Sequence, residues 1–210
     1  MTLSTPSPDA PRPAAAAKVR ILETATDLFY RVGIHGVGVD RLISESSVTK
    51  ATFYKHYGSK DRLILDYLTA AHEREREFVE GIVRTSDGSE DSLHQLIGSI
   101  VADIASPGFR GCAFLNAAVE FPKPLDPVRA VISKHRDWYT GVLAGLLQNV
   151  GHPMPGDAAD EFMLARDGAM SGGYAGDPIA ASAAFVRITD RVILAAGGST
   201  DESEGLEETA

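Results

Sequence analysis

Residues 39–63, VDRLISESSVTKATFYKHYGSKDRL, contain two short helical patterns joined by a turn. The first pattern has an apolar face made of Val39, Leu42 and Ile43. Thr49 stands where a side chain caps the second helix, and Gly58 ends that helix. Phe53 and Tyr57 are four residues apart and fall on one face, so the polar and basic side chains lie on the other. The stretch therefore predicts two packed helices, the second with an exposed, net-basic face.

The flanking sequence extends these two helices into a bundle. Upstream, apolar residues at spacings of three, four and seven predict a helix over about 18–31, which Gly33 ends. Downstream, Ser59 is placed to cap a long helix that continues through Phe78. Val48 is expected to be the buried residue of the turn. Three short helices followed by a long one are typical of a helix-turn-helix module, whose polar helix fits a major groove about 12 Å wide.

At the level of motifs, this region resembles the N-terminal domain of TetR-family transcriptional regulators. The matching runs are LFYRVG (28–33), VDRLI (39–43) and VTKATFYKHYGSKDRL (48–63), and the resemblance covers residues 18–65. Two positions differ from the family pattern. Gly38 stands where the family often has a helix-capping threonine, and Ser47 stands where the turn usually has glycine.

The resemblance implies a set of DNA-contacting residues. Phosphate contacts are expected from Thr49, Tyr54 and Lys60. Base contacts are expected from Lys50, Thr52 and His56. Ala51 stands where the family often has glycine, so the helix can approach DNA closely, and Lys55 is expected either in solvent or on DNA.

The charge distribution agrees with a nucleic-acid partner for this region only. The whole chain carries a net charge of −9. Residues 1–60 nevertheless hold eight Lys and Arg against five acids, whereas the remaining residues hold 12 basic and 24 acidic side chains. Attraction to phosphate is local, so a basic first domain on an acidic body is compatible with DNA binding.

Other classes of protein are disfavoured by what the sequence lacks. It has no apolar run of membrane-spanning length and no secretory leader, and its one cysteine, Cys112, cannot form an internal disulfide. A cytoplasmic location is expected. The six histidines are scattered, and no HExxH, GxSxG, P-loop or dinucleotide-binding motif is present, so neither an enzyme nor a metal or cofactor site is predicted.

The predicted fold is all-α with about nine helices. Beyond residue 85 the apolar periodicity predicts five helices, over about 89–105, 112–120, 125–149, 157–174 and 179–197. The predicted organisation is a disordered leader (1–17), a helix-turn-helix domain (18–62), a helical ligand-binding and dimerisation domain (63–198) and an acidic disordered tail (199–210). The alternating acids and arginines of residues 73–80 are interpreted as a solvated helix face.

The family resemblance places a small-molecule cavity inside the larger domain. Aromatic and sulfur side chains with a few polar groups are the usual lining of such a site. The candidates are Phe78, Phe114, Asn116, Glu120, Trp138, Tyr139, Phe162 and Met170. Any one of them is more often a core residue than a ligand contact, and Cys112 is interpreted as a small buried hydrophobe.

Small residues concentrate in the last two predicted helices, where they allow close helix packing. In the resembled family these helices form the homodimer interface. The candidate interface residues are Gly168, Ser171, Gly172, Ala175, Phe185, Ile188 and Val192. The alternative is that they only close the core of one protomer.

Together these patterns predict a homodimeric regulator that binds a pseudo-palindromic operator in double-stranded DNA. A small, mostly apolar effector is expected to release it, as for a repressor. The competing hypothesis is a helical adaptor whose first domain contacts protein rather than DNA.

Overall fold

The computed structural model describes residues 13–196, which form nine α-helices and no strand in that range. The helices are α1 (Pro13–Val32), α2 (Val39–Glu45), α3 (Lys50–Tyr57), α4 (Lys60–Thr85), α5 (Ser89–Ile104), α6 (Ala113–Glu120), α7 (Pro127–Asn149), α8 (Pro155–Ala175) and α9 (Pro178–Leu194). None of these helices is long and apolar enough to cross a membrane. The prediction of an all-α chain with about nine helices is confirmed.

Helix α1 begins five residues earlier than predicted, at Pro13. Residues 13–17, which were predicted to belong to a disordered leader, are helical. The reason is the alanine run 14–17, since alanine has the highest helix propensity, and proline is tolerated in a first turn. The rest of the predicted leader, and the predicted acidic tail 199–210, lie outside the described residues.

The chain divides into two compact units, residues 1–70 and 71–210. The boundary lies eight residues beyond the predicted one because the first turns of α4 belong to the first core. There, Leu63 and Leu68 are fully buried, and the Tyr67 ring meets the Phe29 ring edge-on with centroids 5.5 Å apart. The sequence pattern of a helix-turn-helix motif does not show how far along α4 the first core extends.

The turn between α2 and α3 holds Ser47, which stands where the resembled family usually has glycine, in the left-handed region of the backbone. Ser47 lies at φ +53°, the only described non-glycine residue with a positive φ, in a region that favours glycine. The buried residue of this turn is Ser46, whose hydroxyl donates to the Leu42 carbonyl at 2.6 Å. Val48 was predicted to be the buried residue of the turn and is only partly buried; Ser46 takes that place.

The second unit contains the rest of α4 and helices α5–α9. Its helix ends lie within three residues of the predicted ones and follow local capping. For example, Asp126 caps α7, its carboxylate accepting from the Val128 amide at 2.9 Å, and Asp177 caps α9 in the same way. Between α8 and α9 the Phe162 and Phe185 rings pack edge-to-face at 5.6 Å.

One glycine in this unit is required by close packing between α5 and α8. A Cβ atom added at Gly173 would stand 2.6 Å from Cγ2 of the buried Ile104. We expect Gly173→Ala to lower the free energy of unfolding, because overpacking costs about 1–3 kcal/mol and exceeds the ~1 kcal/mol of helix propensity gained. Gly98→Ala in α5 is the control, since its Cβ would meet nothing within 4 Å. A melting temperature of Gly173→Ala equal to or higher than that of Gly98→Ala would contradict this close packing.

Candidate functional site

Helix α3 is anchored by two aromatic residues and exposes the rest of its surface. Phe53 and Tyr57 are buried, as predicted, and the Tyr57 hydroxyl donates to the Lys18 carbonyl of α1 at 3.1 Å. Burial raises the pKa of Tyr57 to about 12, with a further contribution from nearby Asp66. The hydroxyl therefore stays protonated and ties α3 to α1.

The predicted DNA-contacting residues lie together around the exposed face of α3. Thr49, Lys50, Ala51, Tyr54 and Lys55 are exposed, and Thr52 and His56 are half-buried. Thr49 caps the helix as predicted: its hydroxyl accepts from the Thr52 amide at 3.1 Å and lies 2.8 Å from the Thr52 hydroxyl. A short helix with this rigid base and a polar surface is the form of a major-groove reading element.

Lys60 is held differently from the others. Its ammonium group donates to the Ile34 carbonyl at 2.6 Å and lies 5.8 Å from the centroid of the Phe29 ring. It therefore fixes the loop between α1 and α2. The expected phosphate contact of Lys60 stays a prediction.

A buried arginine lies at the centre of a polar cluster in the second unit. Arg166 of α8 is only 3% exposed. Its guanidinium lies 3.9 Å from the Cys112 thiol and 3.8 Å from the Glu75 carboxylate, and it stacks on the Tyr139 ring at 4.9 Å. Burial lowers the pKa of Arg166, but the thiol, the tyrosine and Glu75 outweigh that effect and raise it. The guanidinium therefore stays charged.

The acidic side chains near Arg166 lose more favourable solvation on burial than the arginine restores. Burial raises the pKa of Glu75 and of Asp103, and Arg166 opposes the rise in both. Asp167 is better compensated, because Arg136 donates to its Oδ2 at 2.6 Å. Glu75 was interpreted from sequence as part of a solvated face; it is instead half-buried, because α8 brings Arg166 against that side of α4.

Two histidines meet beside this cluster. His72 and His135, both buried, have their Nδ1 atoms 3.3 Å apart, and His135 stacks on Phe114 with ring centroids at 3.6 Å. Burial lowers the pKa of both, and for His135 burial together with Arg166, His72 and Arg136 lowers it to about 3. Both rings are therefore neutral at pH 7, and one donates its Nδ1 proton to the other.

Several polar atoms in this region have no hydrogen-bond partner. Four such buried side-chain atoms occur among the described residues, and three of them are Arg166 Nε, His135 Nε2 and Asp167 Oδ1. Buried polar atoms are rarely left unpaired, so their concentration in one place makes this cluster a candidate site. An open groove of about 390 Å³ adjoins the cluster and is lined by residues that include Glu75, Phe78, Asp103 and Met170.

The predicted ligand-lining residues divide between this region and other places. Phe114, Trp138 and Tyr139 surround His135, and Phe78 and Met170 line the groove. Phe162 packs on Phe185 in the core between α8 and α9. Asn116 is exposed and donates to the Arg110 carbonyl at 2.8 Å, and Glu120 is half-buried.

Sequence reasoning missed the arginine and the histidine pair. One available signal was the position of Arg166, four residues from both Phe162 and Met170 on the apolar side of α8. The meeting of His72 with His135 joins residues 63 positions apart and has no local signal. Among residues 13–196, no group of three or more histidine, cysteine or acidic side chains is arranged to hold a metal.

The predicted dimer-interface residues fall into two sets. Gly168, Ser171 and Ala175 are exposed on one face of α8. Phe185 and Val192 are buried within the protomer, because α9 directs them against α8, and Ile188 is half-buried. Gly172 also faces its own chain, since a Cβ there would lie 3.6 Å from the Ala181 Cβ. The residues that α9 leaves in solvent include Ile179, Ala183, Arg187 and Leu194.

Comparison with known proteins places this architecture among bacterial regulators. Residues 21–67 match the family model described as bacterial regulatory proteins, tetR family. The chain is 40% identical to a TetR-family transcriptional regulator from Streptomyces coelicolor, with a TM-score of 0.83 over 86% of this chain and 96% of that one.

Two further relatives have narrower similarity. A TetR-type regulator from Streptomyces avermitilis is 23% identical, with a TM-score of 0.73 over 86% of this chain and 98% of that chain, and shows the same fold. An HTH-type transcriptional repressor from Streptomyces coelicolor is 39% identical over 59 residues, which are 28% of this chain and 31% of that protein. The chain thus matches about a third of the repressor's length.

Proposed function

Because the chain belongs to the TetR family of bacterial transcriptional regulators, we propose that it is a homodimeric, sequence-specific DNA-binding repressor released by a small molecule. The exposed face of α3 carries this proposal, since it presents Lys50, Thr52, Tyr54, Lys55 and His56 from a rigid base. The similarity to an HTH-type transcriptional repressor over 59 residues supports repression. A cytoplasmic location follows from action on bacterial DNA.

The DNA-binding role is tested by retention of a random-sequence duplex on filters as salt is increased. A regulator that neutralises phosphates loses affinity linearly in a log–log plot against salt. Salt-dependent retention supports the proposal. Its complete absence at low salt favours the adaptor hypothesis, in which the first unit contacts protein.

We assign the dimer contact to the solvent face of α8 and α9. On α8 this face contains Leu164, which is 70% exposed, together with Gly168, Ser171 and Ala175. On α9 it contains Ile179 and Leu194, which are 81% and 74% exposed. TetR-family regulators generally act as dimers, and large apolar side chains in solvent beside small ones are suited to contact with a second copy.

We place the effector site at the Arg166 cluster and its adjoining groove. The groove offers Phe78 and Met170 to an apolar body, while Arg166 Nε and His135 Nε2 are unpaired polar atoms in the interior nearby. The effector is therefore a mostly apolar molecule with at least one polar atom. Its binding lowers operator affinity to the extent that it favours one state of the protein over the other.

Screening of such compounds is expected to give hits that both raise the melting temperature and weaken DNA binding. Stabilisation should follow RT ln(1 + [L]/Kd). Trp138 reports on the site, because its ring centroid lies 5.3 Å from that of His72 and 5.5 Å from that of Tyr139. Trp138→Phe is the control for the fluorescence signal. Compounds that raise the melting temperature and leave DNA affinity unchanged would contradict effector release.

A further inference from the structure

A cleft in the first unit joins α1 to the beginning of α3. It has a volume of about 350 Å³ and is lined by residues that include Arg20, Ser47, Thr49, Thr52, Lys55 and His56. Among its lining residues there are two permanent cations and no carboxylate. Arg20 lies outside the helix-turn-helix segment and was not among the predicted DNA-contacting residues, so the cleft adds a residue from α1 to the candidate surface.

The cations of this unit differ in whether they already have a partner. Lys18 lies 3.4 Å from Asp66, Arg31 lies 3.4 Å from Asp27, and Arg41 lies 2.7 Å from Glu45. Lys60 is held by a backbone carbonyl. Within residues 13–196, the side chain of Arg20 makes no ion pair or hydrogen bond, even though Glu23 follows it by three residues on the same helix.

Lys50 and Lys55 are likewise without ion pairs among the described residues. The positive charge that the unit leaves uncompensated therefore includes Arg20 together with the exposed lysines of α3. An exposed arginine with all its N–H groups available is suited to a phosphate, which it can bind with two parallel hydrogen bonds.

We propose that Arg20 binds a DNA phosphodiester in this cleft, so that α1 and α3 hold the same stretch of backbone. The proposal rests on the DNA-binding function and adds to it a contact outside the recognition helix. The cleft suits a group with one negative charge and several acceptor oxygens, because its lining supplies two cations and the hydroxyls of Ser47, Thr49 and Thr52. Such a contact carries no sequence information; it fixes the position of α3 on the duplex.

The test compares the salt dependence of binding to a random-sequence duplex for the wild-type chain and two variants. Arg20→Ala should reduce the slope of log K against log salt by about 0.9 for each protomer. At 0.1 M salt this corresponds to roughly an eightfold loss of DNA affinity per contact. Arg31→Ala is the matched control, because it removes an exposed arginine of the same helix that is already paired with Asp27. Its slope should stay at the wild-type value.

A conservative variant separates a phosphate contact from a structural effect. Arg20→Lys keeps the charge and should restore most of the slope, and the melting temperature of all three variants should stay close to that of the wild type, since Arg20 is exposed. An Arg20→Ala slope equal to the wild-type slope, in a wild-type protein that does bind, would overturn the contact and leave the DNA-binding function standing. A wild-type protein without salt-dependent binding would overturn both.

Discussion

Gly168→Arg is expected to convert the protein from a dimer to a monomer. Gly168 is exposed on α8, and a Cβ atom there would meet nothing within 4 Å, so the protomer accepts the change without strain. In a two-fold symmetric contact through this face, each arginine would be buried among the apolar and small side chains of Leu164, Ser171 and Ala175. Charges without partners in an interface cost several kcal/mol, so the dimer should weaken by at least about 100-fold. Sedimentation at micromolar concentration measures the effect.

The matched variant is Gly172→Arg, one helical turn along α8. From sequence, both glycines were predicted to lie in the dimer interface. In the structure Gly172 faces its own chain, because a Cβ atom added there would lie 3.6 Å from the Ala181 Cβ. Gly172→Arg should therefore lower the melting temperature of the protomer, because it forces α8 and α9 apart. Gly168→Arg should leave the melting temperature of the monomer nearly unchanged. A dimer that persists in Gly168→Arg would place the interface on another surface.

Acid is expected to destabilise the second unit as the pH falls below 6.5, because its buried His135 resists protonation. The pKa of His135 is lowered from 6.5 to about 3 in the folded protein. Below pH 6.5 the unfolded chain binds a proton at this residue and the folded chain does not. Its contribution to stability is therefore complete above pH 6.5 and is lost as the pH falls toward 3, at up to about 1.4 kcal/mol per pH unit.

His135→Gln isolates this effect from other titrating groups. The pKa of His72 is also lowered, which adds to the acid sensitivity, whereas the raised pKa values of Glu75 and Asp103 act in the opposite direction. Denaturant unfolding at pH 7.5, 6.5 and 5.5 measures the free energy of unfolding. With falling pH this free energy should decrease more steeply for the wild type than for His135→Gln. Equal pH slopes for the two proteins would show that His135 is protonated in the folded state near its ordinary pKa.

The sequence predicted best those features that depend on neighbours along the chain. Local spacing predicted the Thr49 cap, the buried pair Phe53 and Tyr57, and the nine helical segments. The unusual turn position of Ser47 was indicated by the family resemblance alone. The start of α1 was missed because a run of small alanines gives no hydrophobic periodicity, although it forms helix readily.

Features that need contacts between distant segments could not be predicted in this way. Arg166 lies against Cys112, 54 residues away, and against Glu75 on yet another helix. The same limitation applies to the proposed dimer face. Helical spacing identified small residues on α8 and α9 but could not show that Phe185 and Val192 point into the protomer.

The most direct test of the central claim is selection of bound duplexes from a random pool, followed by sequencing. A homodimer that reads DNA with two copies of α3 should enrich an inverted repeat whose half-site centres are one helical turn apart, about 34–36 Å. Enrichment of such a repeat, with binding that weakens as salt increases, is the predicted result. A pool that remains random after repeated rounds, or one that converges on a single unrepeated half-site, would contradict the account of a dimeric, sequence-specific regulator.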